Sequence, residues 1–172
     1  MSATAAPSAL EVVTFDLAGE VFAIEALLVR EILDLIPVTE VPNSLPWVGG
    51  LINVRGKVVP LADLRLIFGQ ERTPYTLDTR IIVIEIDIDG DPTYVGMIAD
   101  KVHEVTVIEA ADMTETPRIG LKWDSELIRC IGKYKNDFIV VIETARLLER
   151  GIDGASLLSS PGALGSTLES VG

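Results

Sequence analysis

Gly49-Gly50-Leu51-Ile52-Asn53-Val54-Arg55-Gly56-Lys57-Val58-Val59-Pro60-Leu61-Ala62-Asp63-Leu64-Arg65-Leu66-Ile67-Phe68-Gly69 reads as a hairpin followed by a short helix. Leu51, Ile52 and Val54 supply one arm, and Val58, Val59 and Leu61 the other. Gly56 tolerates the positive φ that a tight turn demands, so Arg55-Gly56-Lys57 is the turn. Pro60 has no N–H for a ladder and belongs near a strand end or on an edge. Ala62–Phe68 suits a two-turn helix, with Asp63 in its first turn, where a negative charge favours the dipole, and Gly69 as its stop. The turn presents two cations and no group suited to nucleophilic or acid–base work at neutral pH. It is a place to dock.

Upstream, residues 1–9 read as a disordered start. Val13, Phe15 and Leu17 alternate with polar residues as in a half-buried strand, and Ala18-Gly19-Glu20 turns the chain into Val21–Ile24. Glu25–Ile32 places Leu28 and Ile32 at helical spacing and predicts a short helix. Val38–Val41 predicts a brief strand between Pro37 and Pro42, and Asn43–Gly50 a loop holding Trp47.

Downstream, Gln70–Asp78 is a polar connector. Arg80–Ile88 predicts a long strand, with Ile82, Ile84, Ile86 and Ile88 on one face and Ile81, Val83, Glu85 and Asp87 on the other. Asp89-Gly90-Asp91-Pro92 is a hairpin loop, Thr93–Ala99 returns, and Val102–Ile108 is a further strand. Ala110–Asp124 shows no pattern. Leu127–Tyr134 and Phe138–Ile142 form a hairpin across Lys135-Asn136-Asp137, Glu143–Glu149 a closing helix, and residues 151–172 a flexible tail.

The order of elements repeats. Strand, turn, strand, Val29-Arg30-Glu31-Ile32 is answered by strand, turn, strand, Val102-His103-Glu104-Val105. The hairpin ending Val59-Pro60-Leu61 with its helix is answered by Val140-Val141-Ile142 with its own. Many short strands with frequent turns predict a mainly β fold, two tandem small β-barrels.

The 172 residues are 48% apolar by count, enough for a substantial core, and carry a net charge of −12. Such a surface repels phosphate backbones and anionic lipid heads, so neither nucleic acid nor direct membrane insertion is expected. No apolar run approaches the ~20 residues of a membrane span. No basic stretch leads an apolar one at the start, so no secretory signal is expected. The single cysteine, Cys130, agrees with a cytoplasmic protein.

Chemistry is sparse. His103 is the one histidine and has no obvious catalytic or metal-binding company, so it reads as a surface or edge-strand residue. Cys130 sits between isoleucines and reads as a small buried hydrophobe. Asp87, Asp89 and Asp91 imitate a calcium loop, but Pro92 stands where its glycine is required and Ile98 where its glutamate is. No phosphate loop, nucleophile elbow or zinc spacing occurs. No metal or cofactor is expected, and no catalytic residue. From the residues alone, Val29 and Ile32 read first as core and Glu31 as a solvated charge; the alternative is an apolar groove with a charged rim, suited to an amphipathic helix.

Asn53 to Arg65 resembles the signature hairpin of the CheW family of bacterial chemotaxis coupling proteins. Phe15-Asp16-Leu17-Ala18-Gly19-Glu20, Val29-Arg30-Glu31-Ile32, Pro37 to Pro42, Val95 to Val102 and Glu143 to Leu148 extend the resemblance over residues 10–150. It implies two five-stranded, SH3-like barrels sharing a core, and a non-enzymatic adapter. That adapter would join the cytoplasmic tips of chemoreceptors to the regulatory domain of the histidine kinase CheA, in the cytoplasm at membrane-associated receptor arrays. The resemblance places Val29, Ile32, Val102 and Val105 in the receptor groove, with Glu31 and Arg55 as polar contacts. It gives the kinase a surface including Val38, Val41 and Gly50. Two other readings stay open: a coupling protein of a non-flagellar array, and a small-ligand or metal-dependent enzyme on a β-barrel.

Overall fold

A computed structural model describes residues 9–42, 48–68, 70–71, 74–114, 125–146 and 148. The expected disorder of residues 1–8 and tail from 151 lie outside the described residues, as does Trp47. Strands β1 (Leu10–Leu17), β2 (Glu20–Glu25), β8 (Lys101–Ile108), β9 (Met113–Thr114), β10 (Ile128–Tyr134) and β11 (Asp137–Ile142) form one sheet in the order β8-β1-β2-β11-β10-β9. Strands β3 (Val29–Asp34), β4 (Val48–Val54), β5 (Lys57–Ala62), β6 (Arg80–Ile88) and β7 (Asp91–Ala99) form the other, in the order β3-β6-β7-β5-β4. The expected mainly β fold is present, but with six and five strands among the described residues. The extra strand is β9, two residues within a stretch that sequence patterning leaves as loop.

Reading the two orders against each other matches every strand of the repeat: β3 with β8, β6 with β1, β7 with β2, β5 with β11 and β4 with β10. The hairpin that opens each repeat pairs with the other repeat's bulged strand, so the halves exchange their hairpins. The same four turns punctuate both: Ala18-Gly19, Arg55-Gly56, Asp89-Gly90 and Lys135-Asn136 each hold two residues at positive φ. Two-residue turns of this kind match the right-handed twist of the strands they join. The Arg55 turn is tightened by the Gly56 N–H, which donates to Asn53 Oδ1 at 2.8 Å.

The two faces of β6 behave as its alternation predicts. Ile82, Ile84 and Ile86 enter a core shared between the sheets, with Phe15, Phe22 and Ile24 from β1 and β2. Ile81 and Val83 enter a second core with Ile52, Val59 and Leu61, against which Leu33 of β3 also packs. Since β3 and β4 are the opposite margins of their sheet yet meet one core, that sheet curls around it. The other sheet does the same: Ile108 on β8 shares a core with Ile139, and an added Cβ on Gly132 of β10 would meet Ile108 Cδ1 at 2.7 Å.

Four expectations are corrected. Glu25–Ile32 is not a helix: Ala26–Leu28 is a 3-10 turn and β3 begins at Val29. Val38–Val41 is no strand; only Thr39 bridges, exchanging 2.8 Å hydrogen bonds with Leu51. Asp63 precedes the helix α1 (Leu64–Ile67) as its N-cap, and its carboxylate accepts from the Arg65 N–H at 3.1 Å. Pro60 lies in an interior strand. Leu51, opposite it, spends its N–H and C=O on Thr39, so Pro60 nitrogen faces β7, where parallel pairing starts only at Leu61.

Candidate functional site

Val29 and Ile32 are three residues apart on a strand, a spacing that ordinarily puts side chains on opposite faces. A bulge reverses this. Val29 pairs with Ile84 and Ile32 with Ile82, so an extra residue on β3 returns both to the face of the shared core. Val102 and Val105 repeat the arrangement: they pair with Phe15 and Val13, again three residues against two. Val29 and Val102 pack on the shared core, while Ile32 and Val105 remain 43% and 57% exposed. Each bulged strand thus offers one anchored and one free apolar side chain.

The charged residues inside the two bulges are also matched. Glu31 accepts an ion pair from Arg55 at 2.9 Å, and Glu104 one from Lys135 at 3.3 Å, the cation being in each case the first residue of a positive-φ turn. Tyr134 hydroxyl also bonds Glu104. These hydrogen bonds, Tyr134's first and Lys135's second, hold the Glu104 carboxyl below the usual range, and Lys135 ammonium is raised in return, first by Tyr134 and then by Glu104. Arg30 bonds Glu85 at 2.9 Å, and His103 bonds Asp16 at 2.8 Å from the equivalent position. His103 is therefore a half-exposed residue on a marginal strand of the six-stranded sheet, matched by an arginine in the other half.

Of the residues expected at a receptor surface, Glu31 and Arg55 meet directly, and the four apolar ones share two equivalent faces. Of those expected at a kinase surface, Val38 and Gly50 meet. Gly50 takes φ +137, and a Cβ there would lie 2.5 Å from Thr39 oxygen and 2.6 Å from Val38 Cγ1. Val41 is half-buried. Cys130 packs against the core of its sheet, and burial pushes its thiol up, with Arg129 acting weakly the other way.

Sequence reading missed two features. A cleft of about 710 Å³ opens beside the Glu104 bulge, lined by Val21, Val102, Tyr134, Phe138 and Val140, with Phe138 67% exposed. A smaller one, about 420 Å³, occupies the equivalent place around Val58, Pro60 and Tyr94. The second feature is Arg65. Its side chain is wholly buried, with Nε and Nη2 on the two oxygens of Asp63 at 2.9 and 3.0 Å and Nη1 3.4 Å from Asp100. The hydrogen bond to Asp63 raises its pKa above the usual guanidinium value, ahead of the opposing cost of burial. The isolated helix start Asp-Leu-Arg gives no sign that both charges face inward.

The model of the CheW-like domain matches residues 11–151. The chain is 28% identical over 138 residues to the chemotaxis protein CheW of Klebsiella aerogenes, covering 80% of this chain and 81% of that one. It is 30% identical over 142 residues to the chemotaxis protein CheW of Bacillus subtilis, covering 81% and 87%. The crystal structure of the scaffolding protein TtCheW from Thermoanaerobacter tengcongensis superposes with a TM-score of 0.71 at 28% identity, covering 86% of this chain and 92% of that one. The match from residue 11 to residue 151, the strand order and the exchanged repeat lead to one conclusion: this chain belongs to the CheW-like family of chemotaxis scaffold proteins.

Proposed function

We propose that this protein is a non-enzymatic adapter that couples chemoreceptor tips to the histidine kinase CheA. The observation that carries the reading is the bulged pair of strands. Each presents an exposed aliphatic residue, Ile32 or Val105, beside one anchored in the shared core, with an ion pair at the rim. An amphipathic helix is recognised by such a surface: aliphatic anchors supply the area, and charges at the edge set the orientation. Val29, Glu31, Ile32, Arg55, Val102 and Val105 would meet the receptor. The surface near Val38, Val41 and Gly50 would meet the kinase. No helix among the described residues is long and apolar enough to cross a membrane, and the adapter would reach receptor arrays through its partners.

Co-sedimentation with receptor cytoplasmic fragments and CheA, together and singly, tests this. Binding to both with a rise in kinase autophosphorylation is expected. Binding to neither would leave the family fold without the coupling role.

A further inference from the structure

The chain passes from one sheet to the other twice at equivalent places, and the two crossings are built differently. From β2 to β3 it uses the 3-10 turn Ala26–Leu28, whose central Leu27 is 78% exposed. From β7 to β8 it uses one residue, Asp100, since β7 ends at Ala99 and β8 begins at Lys101.

Asp100 is held from several directions. Its N–H donates to Asp16 oxygen at 2.9 Å, at the end of β1. Its Oδ2 accepts from Ala18 N–H at 2.8 Å, in the β1–β2 turn. Its Oδ1 faces the buried guanidinium of Arg65, which Asp63 fixes in a fork-to-fork pair at the start of α1. The β1–β2 turn of one sheet and the helix that follows β5 of the other thus meet on one carboxylate, while the backbone N–H of the same residue holds the end of β1. The matching positions in the other repeat, Leu27 and Ala145, have no charge to make such a tie.

We infer that Asp100 is a positioning residue that pins the one-residue crossover between the sheets and so fixes the angle between Val29 and Ile32 on one sheet and Val102 and Val105 on the other, the two parts of the receptor surface. The pin rests on the geometry alone; its role in signalling rests on the adapter reading. A coupler transmits the state of one partner to the other only as far as the two contacts move together. Loosening the crossover therefore separates the two parts of the receptor surface, while the kinase surface near Val38, Val41 and Gly50, on the side of one sheet, stays intact.

The test uses Asp100→Ala and Asp100→Asn in the full chain. Asparagine keeps an oxygen for Ala18 N–H and loses the charge facing Arg65. Spin labels at Val58→Cys and Phe138→Cys, in a Cys130→Ser background, report the distance between the halves in the free protein. The distance distribution should broaden in Asp100→Ala and broaden less in Asp100→Asn. In the unlabelled variants, affinity for CheA alone should change by less than about two-fold, while affinity for receptor fragments and receptor-dependent kinase activation fall about ten-fold. An unchanged distribution overturns the pin. Receptor affinity at the wild-type level, or an equal loss of affinity for CheA, overturns the positioning role. If Asp100→Ala does not fold, Asp100→Asn carries both measurements. Should the wild-type protein bind neither partner, the adapter reading fails, and the distance measurement still decides the pin.

Discussion

Glu31, the residue after the bulge of β3, meets Arg55 in the β4–β5 turn at 2.9 Å, joining the two margins of the five-stranded sheet. Arg55 side chain is 81% exposed, so the pair contributes roughly 0–1 kcal/mol to stability. On the adapter reading its use would lie in presenting a charge. Arg55→Glu should leave the thermal midpoint within a few degrees of wild type and sharply reduce receptor-dependent kinase activation in a reconstituted array. Activation at wild-type level would remove Arg55 from the receptor surface.

Two glycines that both look crowded should respond differently to alanine. At Gly50 the new methyl meets the backbone oxygen of Thr39 at 2.5 Å, and the φ of +137 is itself strained for alanine. Gly50→Ala should cost roughly 2 kcal/mol or more in urea denaturation. At Gly132 the methyl meets Ile108 Cδ1, the end of a side chain that can change rotamer. Gly132→Ala should cost clearly less. Equal losses would mean that the Thr39 segment yields as readily as a side chain.

The bonds from Tyr134 and Lys135 stabilise the ionised form of Glu104, so its folded pKa lies below the unfolded value. The contact is complete above the ordinary glutamate range and is lost as pH falls through the lowered folded value. Carboxyl-carbon NMR should show Glu104 titrating below the ordinary glutamate range. Tyr134→Phe removes the largest cause and should move the transition upward; no movement would assign the shift elsewhere.

Burial of the Cys130 thiol in its sheet's core disfavours the thiolate that reacts with disulfide reagents. At neutral pH a chromogenic disulfide should modify native protein clearly more slowly than protein in urea, where the thiol is no longer buried. Equal rates would mean that the strand opens freely.

The sequence patterning of β6 already separates the two cores, because every second residue is isoleucine on one side and the other side turns from apolar to acidic. The repeat is legible for the same reason: strand, turn, strand and a Val-x-x-apolar segment recur in order. The bulges are hidden. Val29 and Ile32 sit at a helical interval, and a strand with one extra residue gives the same interval between residues on one face. Pro60 misleads because the rule about edges concerns where its nitrogen points, and here the neighbouring strand has not yet begun to pair. Arg65 is invisible because Asp-Leu-Arg at a helix start reads equally as an exposed cap, and its further partner Asp100 is near only in the folded chain. Exchange of hairpins between the halves leaves no local mark at all.

That exchange dictates an order of assembly. Strands β3 to β7 occupy one uninterrupted span, residues 29–99, and close their own sheet. The β1–β2 hairpin is synthesised first but must wait for β8 and β11, its neighbours on either side, the last of which ends at Ile142. Loop closure over such a separation is slow, so the middle of the chain folds first and the two ends meet around it afterwards. Until β8 and β11 arrive, the first hairpin carries Phe15 and Phe22 without the strands that flank it in the finished sheet, apolar surface of the kind that invites aggregation.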